Sequence, residues 1–251
     1  MTHEFVHLHV HSHYSLLDAT NRFDELAKAV KERRMRSVAL TDHGNLFGAI
    51  EFYRAAYGQG VKPIIGCEVY VAPESRHERA VRPDGFERGF HLTLLAVSGD
   101  GYRNLCKLSS LAFTEGFYYH PRVDEELLDA HAEGLVALSG CLSGNAARRF
   151  LAGDEKGAIA GLRRYRDIFG AGNFYVELQN HGLPEQQRLT EFLLERAKSD
   201  GMPLVATNDV HYLDQEDASV HDALLCIGTR SLIREPNRKR YGSDQFFLKT
   251  P

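Results

Sequence analysis

Two periodicities alternate along this chain. Short runs that are apolar at nearly every position fall at 37–41, 62–71, 91–97, 135–141, 174–178 and 203–211. Side chains on a strand point alternately to opposite faces, so an uninterrupted apolar run belongs to a strand buried on both faces. Between these runs apolar residues return at helical spacing, as with Phe23, Leu26, Ala27 and Val30 in the segment from Phe23 to Arg33. The same spacing predicts helices over Phe47 to Gln59, Tyr102 to Ala112, Asp124 to Ala132, Asn145 to Leu151, Glu155 to Phe169, Pro184 to Ser199 and Ala218 to Ile227.

The first predicted strand, Phe5 to His11, has another texture. His7, His9 and His11 share one face, while Val6, Leu8 and Val10 share the other. A lone histidine in a strand is ordinarily a hydrogen-bonded core or surface residue. A row of imidazoles on one face calls for something to coordinate them, and His9 and His11 are metal-ligand candidates on this stretch alone.

Seven strands alternating with helices predict an α/β fold with a parallel sheet covered by helices. The βα units run on without a linker or a change of composition, which favours one closed barrel over an open doubly wound sheet. Residues 73–89 are charged and carry the turn sequence Pro83-Asp84-Gly85, so they are expected as an excursion from the core. The chain divides at the sequence level into a barrel domain, 1–235, and an arginine-rich C-terminal tail, 236–251.

Composition narrows the partners. The 251 residues carry a net charge of −4, so no global basic field is available to neutralise nucleic-acid phosphates; Arg33-Arg34, Arg163-Arg164-Arg166 and Arg238-Lys239-Arg240 are local clusters. Cys67, Cys106, Cys141 and Cys226 are far apart and include no C-x-x-C pair, which argues against a disulfide framework and for a reducing, cytoplasmic setting. No apolar run approaches the roughly 18–20 residues of a membrane span, and no secretory signal precedes the first strand.

Barrel enzymes carry their chemistry at the C-terminal ends of the strands. His9 and His11, Asp42 and His43, Cys141, and Asp209 and His211 all follow that rule, whereas His91 opens its strand and Glu68 sits inside one. Singly, each has a structural reading: Asp42 as a helix cap, Glu68 as a buried ion-pair partner, Cys141 as a small core residue. Asp209 and His211 form a second same-face pair, and a closed barrel sets the first and last strands side by side.

His9-Val10-His11, Thr41-Asp42-His43-Gly44, Glu68, His91, Ser139-Gly140-Cys141 and Asn208-Asp209-Val210-His211 resemble the motifs of the PHP (polymerase and histidinol phosphatase) family, whose fold is a distorted seven-stranded (βα)7 TIM-like barrel. Ser15-Leu16-Leu17-Asp18, Lys62-Pro63-Ile64-Ile65-Gly66, Phe117-Tyr118-Tyr119, Pro121-Arg122, Pro236-Asn237-Arg238 and Phe246-Phe247-Leu248-Lys249 resemble the N-terminal domain of its C-family bacterial replicative DNA polymerases. The resemblance spans essentially the whole chain. His13 and His120 stand where other polar residues are expected.

The resemblance implies up to three divalent metal ions held by His9, His11, Asp18, His43, Glu68, His91, Cys141, Asp209 and His211. His9, His11, Glu68 and Asp209 would share one ion and Asp18, His43 and His211 a second; His91 and Cys141 would hold a third, with Glu68 bridging. The mixed N, O and S donors point to zinc, with manganese or iron also compatible. By the same resemblance the activity is phosphodiester hydrolysis, a 3′→5′ exonuclease that trims the primer 3′ end of DNA for proofreading during replication. His9, His11, Glu68, Asp209 and His211 would carry the catalysis, and Arg122 or His181 would orient the phosphate or protonate the leaving oxygen. Polymerisation itself would reside in a polymerase domain of the same chain beyond Pro251, which makes this sequence an expected fragment. Two other roles stay open: a metal-stabilised scaffold that docks a separate proofreading exonuclease subunit and braces the polymerase, and a small-molecule phosphatase of the histidinol phosphatase type.

Overall fold

A computed structural model of the protein describes residues 5–251; residues 1–4 of the expected barrel domain lie outside the described residues. The strands are β1 (Ser37–Leu40), β2 (Lys62–Val71), β3 (Phe90–Ala96), β4 (Arg122–Val123), β5 (Leu135–Leu138), β6 (Phe174–Leu178) and β7 (Leu204–Ala206). The helices are α1 (Phe23–Glu32), α2 (Ala49–Gly58), α3 (Gly99–Thr114), α4 (Glu125–Ala130), α5 (Asn145–Leu151), α6 (Glu155–Phe169), α7 (Pro184–Asp200) and α8 (Ala218–Thr229). The sheet runs β1-β2-β3-β5-β6-β7, with the two-residue β4 beside the end of β2.

The segment from His7 to His11 closes the ring without forming a regular strand. His7 O accepts from Ala39 N at 2.9 Å and Val10 O from Thr41 N at 2.8 Å on one side; on the other, His11 N reaches Val210 O at 2.8 Å and Val210 N reaches His9 O at 3.0 Å. The Thr41 hydroxyl takes Val10 N at 2.9 Å, so a side chain replaces one ladder bond and the regular pattern lapses there. The expected strand over 203–211 likewise shortens to three residues, Leu204–Ala206, and the chain turns further on, at Asp209, with a φ of 46°.

The expectation of a parallel sheet needs one correction. β3 is antiparallel to both β2 and β5, while β1/β2, β2/β4, β5/β6 and β6/β7 are parallel. A parallel neighbour requires a crossover, usually helical, whereas the 72–89 connection between β2 and β3 contains no helix and the chain returns along the adjacent edge. This reversal explains why His91 opens its strand: in an antiparallel strand that end lies at the mouth where the parallel strands finish, and His91 pairs with Tyr70 near the end of β2.

The core has two large apolar layers. Leu105, Leu108, Leu162, Tyr165, Phe192 and Leu193 press α3, α6 and α7 against the sheet, and Phe23, Leu26, Val30 and Phe52 seat α1 and α2 on β1. A third cluster, Ala39, Leu95 and Leu138 with Leu8, Tyr175 and Val205 against it, joins strands that are not all sheet neighbours and so meets across the lumen. All four cysteines are free, as their spacing suggested, and among the described residues no helix is long and apolar enough to cross a membrane.

His7 shares its parity with His9 and His11 but lies away from them, where its Nε2 donates to Lys249 O at 2.9 Å and ties the C-terminal segment to the barrel. Burial, aided by the charges of Arg33 and Lys249, lowers its pKa from 6.5 to about 4. Below pH 6.5 the unfolded chain takes up a proton that the folded chain refuses until about pH 4, so His7 subtracts stability as pH falls through that window. Thermal melts between pH 7 and pH 4 are expected to show a falling Tm, with a shallower slope in His7→Gln; equal slopes would exclude this role.

Candidate metal centre

Residues from both ends of the chain and from the middle of the sheet meet at one mouth of the barrel. His9 Nε2 lies 3.2 Å from Glu68 Oε1 and 3.3 Å from Asp209 Oδ1, and His11 Nε2 lies 3.1 Å from Asp209 Oδ1 and 3.6 Å from Glu68 Oε2. His43 spans two neighbours, with Nδ1 at 2.7 Å from Glu68 Oε2 and Nε2 at 3.1 Å from Asp18 Oδ2. His91 Nδ1 is 3.0 Å from Glu68 Oε1, and Cys141 Sγ is 3.7 Å from each of those two atoms. The His211 ring packs at 4.5 Å on His11. All nine residues named from the sequence are therefore brought together, with Glu68 touching each of the three subgroups.

The histidines are held by their outer nitrogens. His9 Nδ1 donates to Glu177 Oε1 at 2.7 Å and His211 Nδ1 to the Asp209 carbonyl at 2.8 Å. Ser15 Oγ gives its proton to Asp42 at 2.6 Å and so accepts from His11 Nδ1 at 3.2 Å. Each arrangement leaves an Nε2 lone pair facing the centre, which is how ligating imidazoles are oriented in metal sites. His9 Nε2, His43 Nδ1 and Glu68 Oε2 are buried without a hydrogen-bond partner, although the last two approach within 2.7 Å. Buried polar atoms close together yet out of hydrogen-bonding alignment are suited to a cation between them. Three groups have donor atoms within 4.8 Å of one another and could each hold a metal ion: His9, His11 and Asp209; His11, His43 and His211; His43, Glu68 and His91.

The electrostatics agree. Burial disfavours the Glu68 carboxylate, but His91, His9 and His43 outweigh it and hold Glu68 well below the usual range. Burial opposes charge on His43 too, yet Glu68 and Asp18 raise it to about 10; Asp209, Glu177 and Glu68 overcome the burial of His9 in the same way. His11, buried and beside His43 and His211, drops to about 3 and stays neutral. The protein's own groups thus place protons where a divalent cation would displace them.

Local backbone supports the cluster. Asp209 sits in the left-handed region, uncommon for a residue with a side chain, and is fixed there by its neighbours: Val210 bonds the first segment at His9 O and His11 N, and His211 N–H donates to the Phe246 carbonyl. Gly140 has φ of 87°, and a Cβ there would come within 2.6 Å of His91 O, so the turn that delivers Cys141 to His91 requires glycine. Asp42 is no helix cap: it accepts from Ser12 N, Ser12 Oγ and Ser15 Oγ, shaping the turn between His11 and Asp18.

Two supporting residues were missed from the sequence. Glu177 is a buried charge in an apolar strand, the same signal that singled out Glu68, and it binds His9, Gly140 N and the Thr207 hydroxyl. Tyr241 gave no signal, because only the folding of the C-terminal segment over the mouth brings its hydroxyl to 3.1 Å from His211 Nε2 and 3.3 Å from Asp18 Oδ1.

Two expected substrate contacts are corrected. Arg122 is buried, and four of its five guanidinium N–H groups go to the carbonyls of Gly116, Glu87, Arg76 and Glu78 at 2.6–3.1 Å, so it clamps the 72–89 excursion and does not line the cavity over the cluster. His181 is also buried: Nε2 donates to Asn208 O at 2.9 Å, Nδ1 accepts from Gln186 at 2.8 Å, and the ring stacks on Phe246.

Residues 7–181 match the family described as the PHP domain, and the chain belongs to that family. Within it, the chain is 50% identical over 246 residues to DNA polymerase III subunit alpha of Treponema pallidum and 49% identical over 251 residues to that of Thermus aquaticus. These alignments cover 98% and 99% of this chain but 21% and 20% of the relatives, so the chain spans about a fifth of their length. A crystal structure from Bacteroides vulgatus, described as a two-domain protein containing a predicted PHP-like metal-dependent phosphoesterase, superposes with a TM-score of 0.51 at 13% identity over 82% of this chain and 51% of that one. That likeness is one of fold.

Two outcomes are expected. Titration with zinc or manganese in buffers of differing ionisation enthalpy should show proton release at neutral pH and an affinity that rises with pH, because His43 is otherwise protonated up to about pH 10. Arg122→Met should lower stability by about 3 kcal/mol, from lost charged hydrogen bonds and stranded carbonyls, without changing the metal content of the folded protein. A urea melt with elemental analysis reads both.

Proposed function

We propose that the domain is a metal-dependent phosphodiesterase that acts as a 3′→5′ exonuclease on DNA primer ends, proofreading for a polymerase domain of the same protein. The observation that carries this reading is the convergence of His9, His11, Asp18, His43, Glu68, His91, Cys141, Asp209 and His211 beneath an open cavity of about 450 Å³. Asp18, His43, His91, Cys141, Asp209 and His211 line its floor, and Arg88, Lys239 and Arg240 its walls.

His9, His11, Asp209 and Glu68 would hold one ion, Asp18, His43 and His211 a second, and His91, Cys141 and Glu68 a third. When bound, such cations supply Lewis acidity for the phosphoryl group and lower the pKa of attacking water; zinc suits these donors best. Arg88, Lys239 and Arg240 draw the DNA backbone into the cavity and neutralise its charge. Glu177 holds the His9 ring with its Nε2 inward. Burial and the nearby carboxylates raise the Tyr241 phenol well above its ordinary pKa, so it keeps its proton and is a donor to a phosphate oxygen. Phe246 and Leu248 are buried, so 236–251 would form part of the barrel's wall while leading on to the polymerase.

On a mismatched primer terminus, Asp209→Asn and His11→Ala are expected to lose at least about a hundredfold in nuclease rate. Full activity in both variants would exclude the hydrolytic reading. If chelation lowers Tm while the untreated protein cleaves nothing, the metals serve a scaffold that docks a separate exonuclease subunit. Turnover of phosphomonoesters alone would instead assign a small-molecule phosphatase.

A further inference from the structure

The cavity over the metal centre continues sideways into a second groove of about 420 Å³, and Asp18, His43, Tyr70, His120 and Lys239 border both. The outer wall of this groove includes Leu16, Leu17, Phe47 and Phe113. These side chains are not in the core: Leu16 is 73% exposed, Phe47 62% and Phe113 38%, and the adjoining Phe117 is 49% exposed. The rings form a chain, with centroids 5.8 Å apart from Phe47 to Phe113 and 6.3 Å from Phe113 to Phe117. Phe47 precedes α2, Phe113 closes α3 and Phe117 follows it, so segments distant in sequence bring aromatic faces to one wet surface. Clustered exposed rings of this kind mark a binding surface.

We propose that this wall is a stacking platform for a single-stranded nucleic-acid end, the terminal bases lying on Phe47 and Phe113 and the backbone directed toward Lys239. The proposal deepens the exonuclease reading and rests on it for the fate of the phosphate. Two features favour a nucleic acid over an apolar protein partner. The groove's inner end opens on Asp18 and His43 of the metal centre, which an apolar protein face would cover without satisfying. Lys239 stands where the two spaces join, with Arg88 and Arg240 further along. On a chain of net charge −4 these cations form a local track for phosphates, while aromatic faces accept any base.

The test uses the full-length chain in EDTA, so that no turnover intervenes. An oligonucleotide ending in 5-iododeoxyuridine should photocross-link to the peptide carrying Phe47 or that carrying Phe113. In anisotropy titrations, Phe47→Ala/Phe113→Ala should lose roughly tenfold affinity for an intact single-stranded 3′ end and none for an end made abasic at its last two positions, with Phe47→Tyr restoring binding in the Phe113 background. Equal losses for both ends, or cross-links only on other surfaces, would overturn the platform. So would a double variant that changes oligomeric state and leaves both affinities intact, since the wall would then be a protein interface. Cross-linking and discrimination without hydrolysis by the metal-loaded wild type would support the platform and exclude the exonuclease.

Discussion

The organising constraint in this molecule is a carboxylate, Glu68, buried in the middle of a strand. An isolated buried charge of that kind is strongly unfavourable, and here it is compensated only because His9, His43 and His91 arrive from three other parts of the chain within 3.2 Å of its oxygens. The closure of the barrel, the course of the first segment and the direction of β3 all serve that requirement. Remove the convergence and Glu68 would have no reason to remain inside.

The reversal of β3 shows how an irregular feature of the fold is tied to chemistry. A uniformly parallel barrel would carry His91 to the far end of the sheet. Because the 72–89 connection lacks a helix, β3 returns antiparallel and His91 reaches Glu68 at 3.0 Å. Arg122 keeps this helix-free connection in place through its carbonyl bonds.

The site also separates ligand geometry from ligand support. Nε2 atoms of His9, His11 and His211 face inward because Glu177, Ser15 and the Asp209 carbonyl occupy their Nδ1 positions. Asp42 acts one step further out, through the serines that shape the 12–15 turn. Such layering confines each ring to one orientation, with its Nε2 turned toward the shared centre.

Much of this was legible in the sequence. Apolar runs and helical spacing located most of the strands and helices, and the parity of His9 with His11, the polar residues at strand ends and Glu68 within an apolar run marked the centre. These are local consequences of strand geometry and of the unfavourable burial of charge, so they survive without coordinates. The direction of β3, the lapse of the first segment into isolated bridges, the capture of Arg122 and His181 by backbone carbonyls and the arrival of Tyr241 over the mouth were decided only by tertiary structure. Each depends on which groups become neighbours after the chain closes, and a guanidinium or imidazole carries no mark in sequence of whether it will meet a carbonyl or a phosphate.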